Sequence, residues 1–157
     1  MSSSSTPASA YRVAVAVVVL DQLSKAWVSA HLREGQVSPL LPGVLQQRLV
    51  FNTGAAFSLM SGNAWLLGVV SAAVSLALVL WIQRGGPWHR LQALGLGLLL
   101  GGAVGNGLDR WRLGTVVDFL EIIPIRFPVF NAADVAINLA VAALVIDWWR
   151  QQGSRAD

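Results

Sequence analysis

The sequence predicts an all-α membrane protein with four transmembrane helices and a small β-like extracytoplasmic element between helices 1 and 2. Its 157 residues are 55% hydrophobic and only 12% charged, whereas a soluble domain carries about a quarter charged residues. Four apolar stretches approach the roughly 20 residues that a helix needs to cross a hydrocarbon core of about 30 Å. A stretch rich in glycine and proline between the first two contains the β-like run.

The composition also limits the chemistry and the partners of the chain. The net charge of +3 is spread along the sequence, and without a basic cluster we expect no nucleic-acid partner. The lack of cysteine excludes disulfide bonds and thiolate chemistry. Only His31 and His89 offer imidazole groups, and we expect neither a metal nor another cofactor.

The chain begins with a polar tail that leads into the first span. Residues 1–10 are rich in serine and are predicted to be disordered, whereas residues 11–149 are predicted to form one membrane domain. The first span covers about residues 11–30 and carries Asp21 and Lys25, which share a helical face at i and i+4. Such a pair either faces the protein interior or reaches for the interface from the helix end. A cleavable secretory signal is the competing interpretation of this span.

The loop over residues 32–62 is predicted to fold on the membrane surface. Glycine and proline interrupt it around a strand-like run at 46–51, which indicates a small twisted β element. Asn52 and Gly54 follow that run directly. They either form a plain turn, in which the Asn-x-Gly spacing supplies the special backbone angles, or they contribute to a site.

The second and third spans differ in their flanks and in their surface. Residues 64–82 contain no charge, and the tryptophans near both ends suit the headgroup level. The third span covers about residues 91–108, and its glycines lie four apart, which lets another helix approach closely. These glycines are Gly97, Gly101 and Gly105. At its end, Asn106, Asp109 and Arg110 share one helical face and form either a hydrogen-bonded unit, in which Asn106 and Arg110 hold the Asp109 carboxylate, or a solvated terminus.

The last span is predicted at about residues 132–149. Asn131, Asp134 and Asn138 recur on one stripe of this helix, and a polar stripe on an apolar span faces the bundle or a wet cavity. The segments on either side are a connection over 109–130 and a polar tail over 150–157. Four spans put both termini on one side of the membrane, but the distribution of lysine and arginine does not decide which side.

Connectivity brings the polar ends of these elements to one membrane face, where Asp118 and Asp134 are the candidate catalytic residues. Both lie among apolar neighbours, and burial of that kind raises the pKa of a carboxyl group. Two carboxylates about 4 Å apart repel by about 4 kcal/mol at an effective dielectric constant near 20, or roughly three pKa units. They would share one proton, so that one acid activates water while the other protonates a carbonyl oxygen.

Five short motifs occur in order along the chain, and together they resemble the motif blocks of lipoprotein signal peptidase, the type II signal peptidase of bacteria. The motifs are 21–25 (DQLSK), 52–57 (NTGAAF), 101–110 (GGAVGNGLDR), 116–119 (VVDF) and 130–134 (FNAAD). The resemblance spans about residues 11–149. Any one of the five motifs would be weak by itself, but the five in order are highly specific.

The resemblance implies an aspartyl endopeptidase of the bacterial inner membrane, with cytoplasmic termini and an active site near the outer face. It implies that Asp118 and Asp134 form the catalytic dyad. The implied pocket or substrate-binding residues are Asn52, Gly54, Asn106, Arg110 and Asn131, and the implied supporting residues are Asp21, Lys25 and Asp109. The substrate would be a prolipoprotein whose cysteine carries diacylglycerol, cleaved just before that cysteine. Membrane lipid is a further expected partner, and the protein is expected to be a monomer.

Two other classes of function are compatible with parts of the sequence. A small proton- or cation-coupled transporter subunit would use the intramembrane ionisable residues as a relay, although it leaves the folded loop unexplained. Those residues are Asp21, Lys25, Asp109 and Asp134. A non-enzymatic assembly subunit would use its acids for packing alone.

For the peptidase, residues 32–62 are predicted to hold an extended peptide and residues 116–127 to act as a lid.

Overall fold

In the computed structural model, which describes residues 6–54, 63–86, 88–125 and 127–153, four long helices accompany a small antiparallel sheet. The helices are α1 (Pro7–His31), α2 (Ala64–Arg84), α3 (Arg90–Leu113) and α4 (Ala132–Gly153). The strands are β1 (Val37–Leu41), β2 (Leu45–Asn52) and β3 (Val116–Ile122). All four helices are long and apolar enough to cross a membrane, and the predicted fold class is confirmed.

The first helix begins earlier than the sequence predicted. It starts at Pro7, so residues 7–10 are helical and their predicted disorder is wrong. Thr6 precedes them with an extended backbone, and proline suits the first helical position because the N–H that it lacks has no partner within the helix there. Residues 1–5 of the predicted tail lie outside the described residues.

The third and fourth helices also continue past their predicted ends. α3 runs to Leu113, so the start of the predicted connection at residue 109 belongs to the helix. Gly114 ends α3 with a left-handed backbone (φ 72°), and its N–H donates to the Arg110 carbonyl. α4 runs to Gly153, so residues 150–153 of the predicted tail are helical, and residues 154–157 lie outside the described part of the chain.

The glycine row of α3 allows α1 to pack directly against it. A methyl group on Gly97 would lie 2.5 Å from the Ala10 carbonyl oxygen, and one on Gly101 would lie 2.6 Å from Val17 Cβ. Both distances are shorter than van der Waals contact allows, so only glycine fits at this spacing. The predicted close approach of another helix is therefore confirmed, and α3 becomes the central element against which the other helices pack.

The sheet has the strand order β1-β2-β3, with antiparallel pairing throughout. β1 and β2 form the predicted β element of the loop between helices 1 and 2, and residues 55–62 of that loop lie outside the described residues. β3 comes from the connection between α3 and α4. Residues 116–122 of the predicted lid are therefore a strand hydrogen-bonded to β2, which a run rich in β-branched and apolar residues favours.

Candidate active site

Asp118 lies in the middle of β3, and Asn52 of the neighbouring strand holds its carboxylate. The strand register places Val50 opposite Asp118 and Asn52 opposite Val116, so Asn52 and Asp118 are diagonal neighbours on one face of the sheet. Asn52 Nδ2 donates to Asp118 Oδ2 at 2.9 Å. Asn52 Oδ1 accepts from the Gly54 N–H at 2.9 Å. The Asn-x-Gly segment therefore forms the predicted turn and also presents an amide to the acid.

Asp134 lies in the first turn of α4, where it forms a reciprocal cap with Asn131. Asn131 Oδ1 accepts from the Asp134 N–H at 3.0 Å, and Asp134 Oδ2 accepts from the Asn131 N–H at 3.1 Å. This is the capping-box arrangement, in which two residues three apart satisfy the free N–H groups at a helix start. The cap fixes the direction of the Asp134 carboxylate.

Two buried amides connect the acids. Asn131 Nδ2 donates to Asp118 Oδ1 at 2.6 Å and also to Asn106 Oδ1 at 3.0 Å. Asn106 Nδ2 in turn donates to Asp134 Oδ1 at 2.9 Å. Asn131 is fully buried and Asn106 nearly so. Residues 106, 118, 131 and 134 thus form one hydrogen-bonded cluster drawn from α3, β3 and α4.

A short pairing with β3 places Asn131 in this cluster. Phe130 N–H donates to the Leu120 carbonyl at 2.9 Å, and the Phe130 carbonyl accepts from the N–H groups of Phe119 and Leu120 at 2.9 and 2.8 Å. The segment before α4 is therefore held along the free edge of β3. Because Asn131 follows Phe130 directly, its side chain reaches the carboxylate of Asp118.

Lys25 is buried beneath the cluster and forms ion pairs with two carboxylates. Its ammonium group lies 2.9 Å from Asp21 Oδ2 and 2.9 Å from Asp109 Oδ2, and it donates to Asn106 Oδ1 at 3.0 Å. These three contacts use all three of its N–H donors. The Asp21–Lys25 pair therefore faces the protein interior, which was one of the two interpretations of its spacing.

The two carboxylates that pair with Lys25 each hold the backbone beside one candidate acid. Asp21 Oδ1 accepts from the N–H of Ala133, the residue before Asp134, at 2.9 Å. Asp109 Oδ2 accepts from the N–H of Val117, the residue before Asp118, at 3.1 Å. Asp21 thus satisfies one of the free N–H groups at the start of α4. The ion pairs of Lys25 connect the backbone segments that carry both acids.

The partners of Asp109 differ from those that the sequence predicted. Asn106 and Arg110 were expected to hold its carboxylate, but among the described residues it pairs with Lys25 and accepts from Gln22 Nε2 at 2.9 Å. Arg110 points about 100° away from Asp109 around the helix. The Asn106 amide is occupied by other groups, since its Nδ2 donates to Asp134 and its Oδ1 accepts from Lys25 and Asn131. Gln22 was not among the predicted site residues, although its position beside Asp21 in the 21–25 motif was an available signal.

Arg110 points towards the turn that follows β2. Its guanidinium donates to the Gly54 carbonyl at 3.4 Å, to the Asn106 carbonyl at 3.4 Å and to Ser71 Oγ at 3.5 Å. These long contacts are to neutral groups, and the guanidinium also lines the cavity described below. Ser71 of α2 was not predicted as a site residue, because its segment shows no polar pattern.

Both candidate acids line one cavity of about 940 Å³. Its polar wall also contains Asn52, Asn106 and Arg110. Gly54 and Asn131 do not line the cavity, but both form hydrogen bonds with residues that do. The apolar wall comes from β2, from the start of β3, from the segment before α4 and from the first turns of α4, and includes Val50, Phe51, Val116, Phe127, Pro128, Val129, Phe130, Val135, Ile137 and Leu139.

The environment of Asp118 changes its proton affinity. Burial raises its pKa to about 6, and the nearby charge of Asp134 also raises it, whereas hydrogen bonds from Asn52 and Asn131 lower it. An acid with such a pKa exchanges a proton close to neutral pH. The cavity therefore combines two neighbouring carboxyl groups, amide donors and room for water and a large ligand, which suits general acid–base hydrolysis.

Comparison with known proteins gives consistent matches over most of the chain. The model of the family described as signal peptidase (SPase) II matches residues 13–150. A protein named lipoprotein signal peptidase from Synechococcus sp. (strain RCC307) is 53% identical over 141 residues, covering 88% of this chain and 93% of the relative. Its namesake from Parasynechococcus marenigrum (strain WH8102) is 47% identical over 142 residues, covering 90% and 89%.

Solved structures agree with these sequence matches. A bacterial membrane enzyme determined by the in meso method at 2.3 Å resolution has a TM-score of 0.89 and 26% identity, covering 98% of this chain and 95% of its own. Another, determined at 1.9 Å, has a TM-score of 0.83 and 27% identity, covering 94% and 97%. Both similarities extend over nearly the whole length of each chain.

Proposed function

The chain belongs to the signal peptidase II family, and from that premise we propose that it removes signal peptides from prolipoproteins by hydrolysis at a dyad of two aspartates. The family resemblance predicted from the five motifs is confirmed. The relatives give no support to the transporter alternative. The chain is a multi-pass membrane protein of bacterial type, and the class of its catalytic groups is the first part of our proposal.

One observation carries the assignment of Asp118 and Asp134 as the dyad. They lie on one cavity and are linked through the amides of Asn131 and Asn106. The other buried acids near the site, Asp21 and Asp109, both form ion pairs with Lys25 and accept hydrogen bonds from backbone N–H groups. Neither of them lines the cavity, so these two acids are assigned a supporting role.

Hydrolysis at the dyad needs one shared proton. The ionised carboxylate accepts a proton from a water molecule in the cavity, and the water oxygen attacks the carbonyl carbon of the scissile peptide bond. The protonated carboxyl group donates its proton to the carbonyl oxygen. The carboxyl group that took the water proton then donates it to the amide nitrogen, and the other carboxylate accepts a hydroxyl proton as the C–N bond breaks. These transfers release a carboxylic acid and an amine and restore the shared proton. The pair titrates as a unit, so the shared proton belongs to neither residue alone.

The shape and lining of the cavity support a lipid-modified substrate. Its apolar wall continues along Val135, Ile137 and Leu139 on α4, and Val135 and Leu139 are exposed on the membrane span. Acyl chains can therefore remain in the bilayer while the peptide reaches the acids. The proposed substrate is a prolipoprotein with a diacylglyceryl-modified cysteine, cleaved before that cysteine.

We propose that the cavity faces the outer side of the bacterial inner membrane and that both termini are cytoplasmic. The cleavage site of a signal peptide reaches the outer face after translocation, and four spans return the chain to its starting side. All residues of the proposed site come from one chain, so a monomer is sufficient. Residues 32–54 and 116–122 then hold the extended peptide as a strand platform.

In vitro cleavage tests the substrate class. Purified protein in detergent micelles, with no ion gradient, is expected to cleave a diacylglyceryl-modified prolipoprotein and to release a product with the lipidated cysteine at its amino terminus. The same precursor without lipid should react at least about tenfold more slowly, because binding of the lipid contributes to orienting the peptide. Mass spectrometry of the products from the two precursors measures the position of the cut and the rate of each reaction. Equal rates for the two precursors would contradict the lipid requirement, and no hydrolysis of either would contradict the proposed function.

The pH dependence of kcat/KM provides a separate test of the dyad. Because Asp118 has its pKa raised to about 6, the pair keeps its shared proton below about that pH and loses it as the pH rises. Activity should therefore fall on the alkaline side. Asn52→Ala removes a donor that stabilises the ionised carboxylate, so the alkaline limb should move up by about one pH unit. A limb that stays in place, or moves down, would contradict the assignment of Asp118.

A further inference from the structure

Asn138 is a polar residue on the membrane-spanning part of α4 that the proposed dyad does not use. It lies one turn beyond Asp134, which is about 6 Å further along the helix axis. It lines the same cavity as the dyad. Asn138 Nδ2 donates to the Asp134 carbonyl at 2.9 Å. That bond leaves one N–H and the side-chain oxygen without a hydrogen-bond partner among the described residues.

The position of this amide is costly unless a ligand completes its hydrogen bonding. Its neighbours on the cavity wall are the apolar side chains of Ile137 and Leu139, and Asn138 is exposed on the span. A polar group facing an apolar environment without a partner is unfavourable by a few kcal/mol in hydrocarbon-like surroundings. Polar residues in spans therefore usually mark contacts with other polar groups. The free N–H offers a donor to whatever occupies the inner end of the cavity.

We propose that Asn138 is a specificity-determining residue whose amide N–H binds an ester carbonyl of the diacylglyceryl group. The proposal depends on the proposed function, because it takes the scissile bond to lie at the dyad. The lipid is attached to the cysteine that follows this bond, and its ester carbonyls lie a few bonds beyond the cysteine sulfur. That separation matches the single helical turn between Asp134 and Asn138. An ester carbonyl accepts a hydrogen bond but donates none, so it fits the free N–H.

A substrate pair isolates this contact. The first substrate is the diacylglyceryl-modified prolipoprotein, and the second is its dialkyl ether analogue, which has no ester carbonyl. For wild type, we expect kcat/KM on the ether to be about fivefold lower than on the ester, which corresponds to the loss of one neutral hydrogen bond. On the ester, kcat/KM of Asn138→Leu should be about fivefold below that of wild type. On the ether, this variant should show no further loss, because the substitution and the ether analogue each remove the same hydrogen bond. Leucine has a similar size and suits an apolar span, so the variant should fold.

Asn138→Ser is the matched control for the bond to the Asp134 carbonyl. A serine in a helix can donate to the carbonyl four residues earlier, but its short side chain cannot reach the lipid. We expect it to behave like Asn138→Leu on both substrates. Recovery of wild-type rates by serine would overturn the proposal, since the contact with Asp134 would then explain the effect.

The remaining outcomes also decide between alternatives. Asn138→Leu could instead slow cleavage of both substrates by the same factor. The Asn138 amide would then donate to a group that both substrates share, such as a backbone carbonyl of the signal peptide, and the ester contact would be overturned. Cleavage of the ester substrate by wild type supports the proposed function independently of this result. Failure of wild type to cleave it would overturn the proposed function and the ester contact together.

Discussion

Replacing Asp118 or Asp134 with asparagine is expected to lower kcat by at least about a thousandfold, because an amide can neither accept nor hold the shared proton. Asparagine has nearly the same shape and retains an acceptor oxygen for one of the two hydrogen bonds that each carboxylate accepts. The variants should therefore keep the fold and lose about 1–3 kcal/mol of stability from the donor that is left unpaired. Steady-state cleavage and thermal unfolding in detergent measure the two effects separately.

Glu121→Gln provides a matched control on the same strand. Glu121 follows Asp118 by three residues on β3, but its carboxylate accepts from Gln46 at 2.7 Å and pairs with Arg48 at 3.2 Å, away from the cavity lining. The same change from acid to amide should leave kcat within about twofold of wild type, because no proton of the reaction passes through it. Retention of a tenth of the activity by either aspartate variant, or equal loss in the control, would argue against the dyad.

Lys25→Met is expected to destabilise the protein by about 3–5 kcal/mol, the usual effect of removing one partner from a buried ion pair. The change leaves Asp21 and Asp109 buried without their cation, and each of them bonds to the backbone beside one of the two aspartates of the proposed dyad. Unfolding in mixed micelles with increasing denaturing detergent measures the loss of stability.

Two further variants distinguish lost ion pairing from general damage. Arg48→Met removes a half-exposed ion pair with Glu121 and should change the free energy of unfolding by no more than about 1 kcal/mol. Adding Asp109→Asn to Lys25→Met should recover part of the lost stability, since asparagine removes one unpaired charge and can still accept from the Val117 N–H. A double variant less stable than Lys25→Met alone would contradict this explanation.

The helical part of the fold was predictable because a bilayer imposes a length and a composition on its spans. The positions of the helix ends were less predictable. Low hydrophobicity suggested disorder up to residue 10, although Thr6 and Pro7 already showed a helix-start pattern of cap and proline. β3 was missed although its β-branched and apolar residues favour a strand, because a strand also needs a neighbour to pair with. The main neighbour, β2, is separated from it in sequence by α2 and α3, so the sequence did not show that the two segments meet.

The components of the candidate site were predictable from the motifs, but their contacts were not. Spacing correctly paired Asp21 with Lys25, since both lie on one helix. It gave the wrong partners to Asp109, whose cation comes from α1 and is separated from it by more than 80 residues of sequence. The reciprocal cap of Asn131 and Asp134 is local and has a recognisable spacing. The contact of Asn131 with Asp118 needs the pairing of Phe130 with β3 and appears only in three dimensions.

The most direct test of the dyad is a single-turnover comparison of Asp118→Asn, Asp134→Asn and the double variant on the diacylglyceryl-modified prolipoprotein. Residues that act as one unit are strongly non-additive, so removing either costs about as much as removing both. We therefore predict that the three rate constants agree within about threefold and all lie at least about a thousandfold below wild type. A double variant slower by the product of the two single effects would show two independent contributions and would contradict a shared proton.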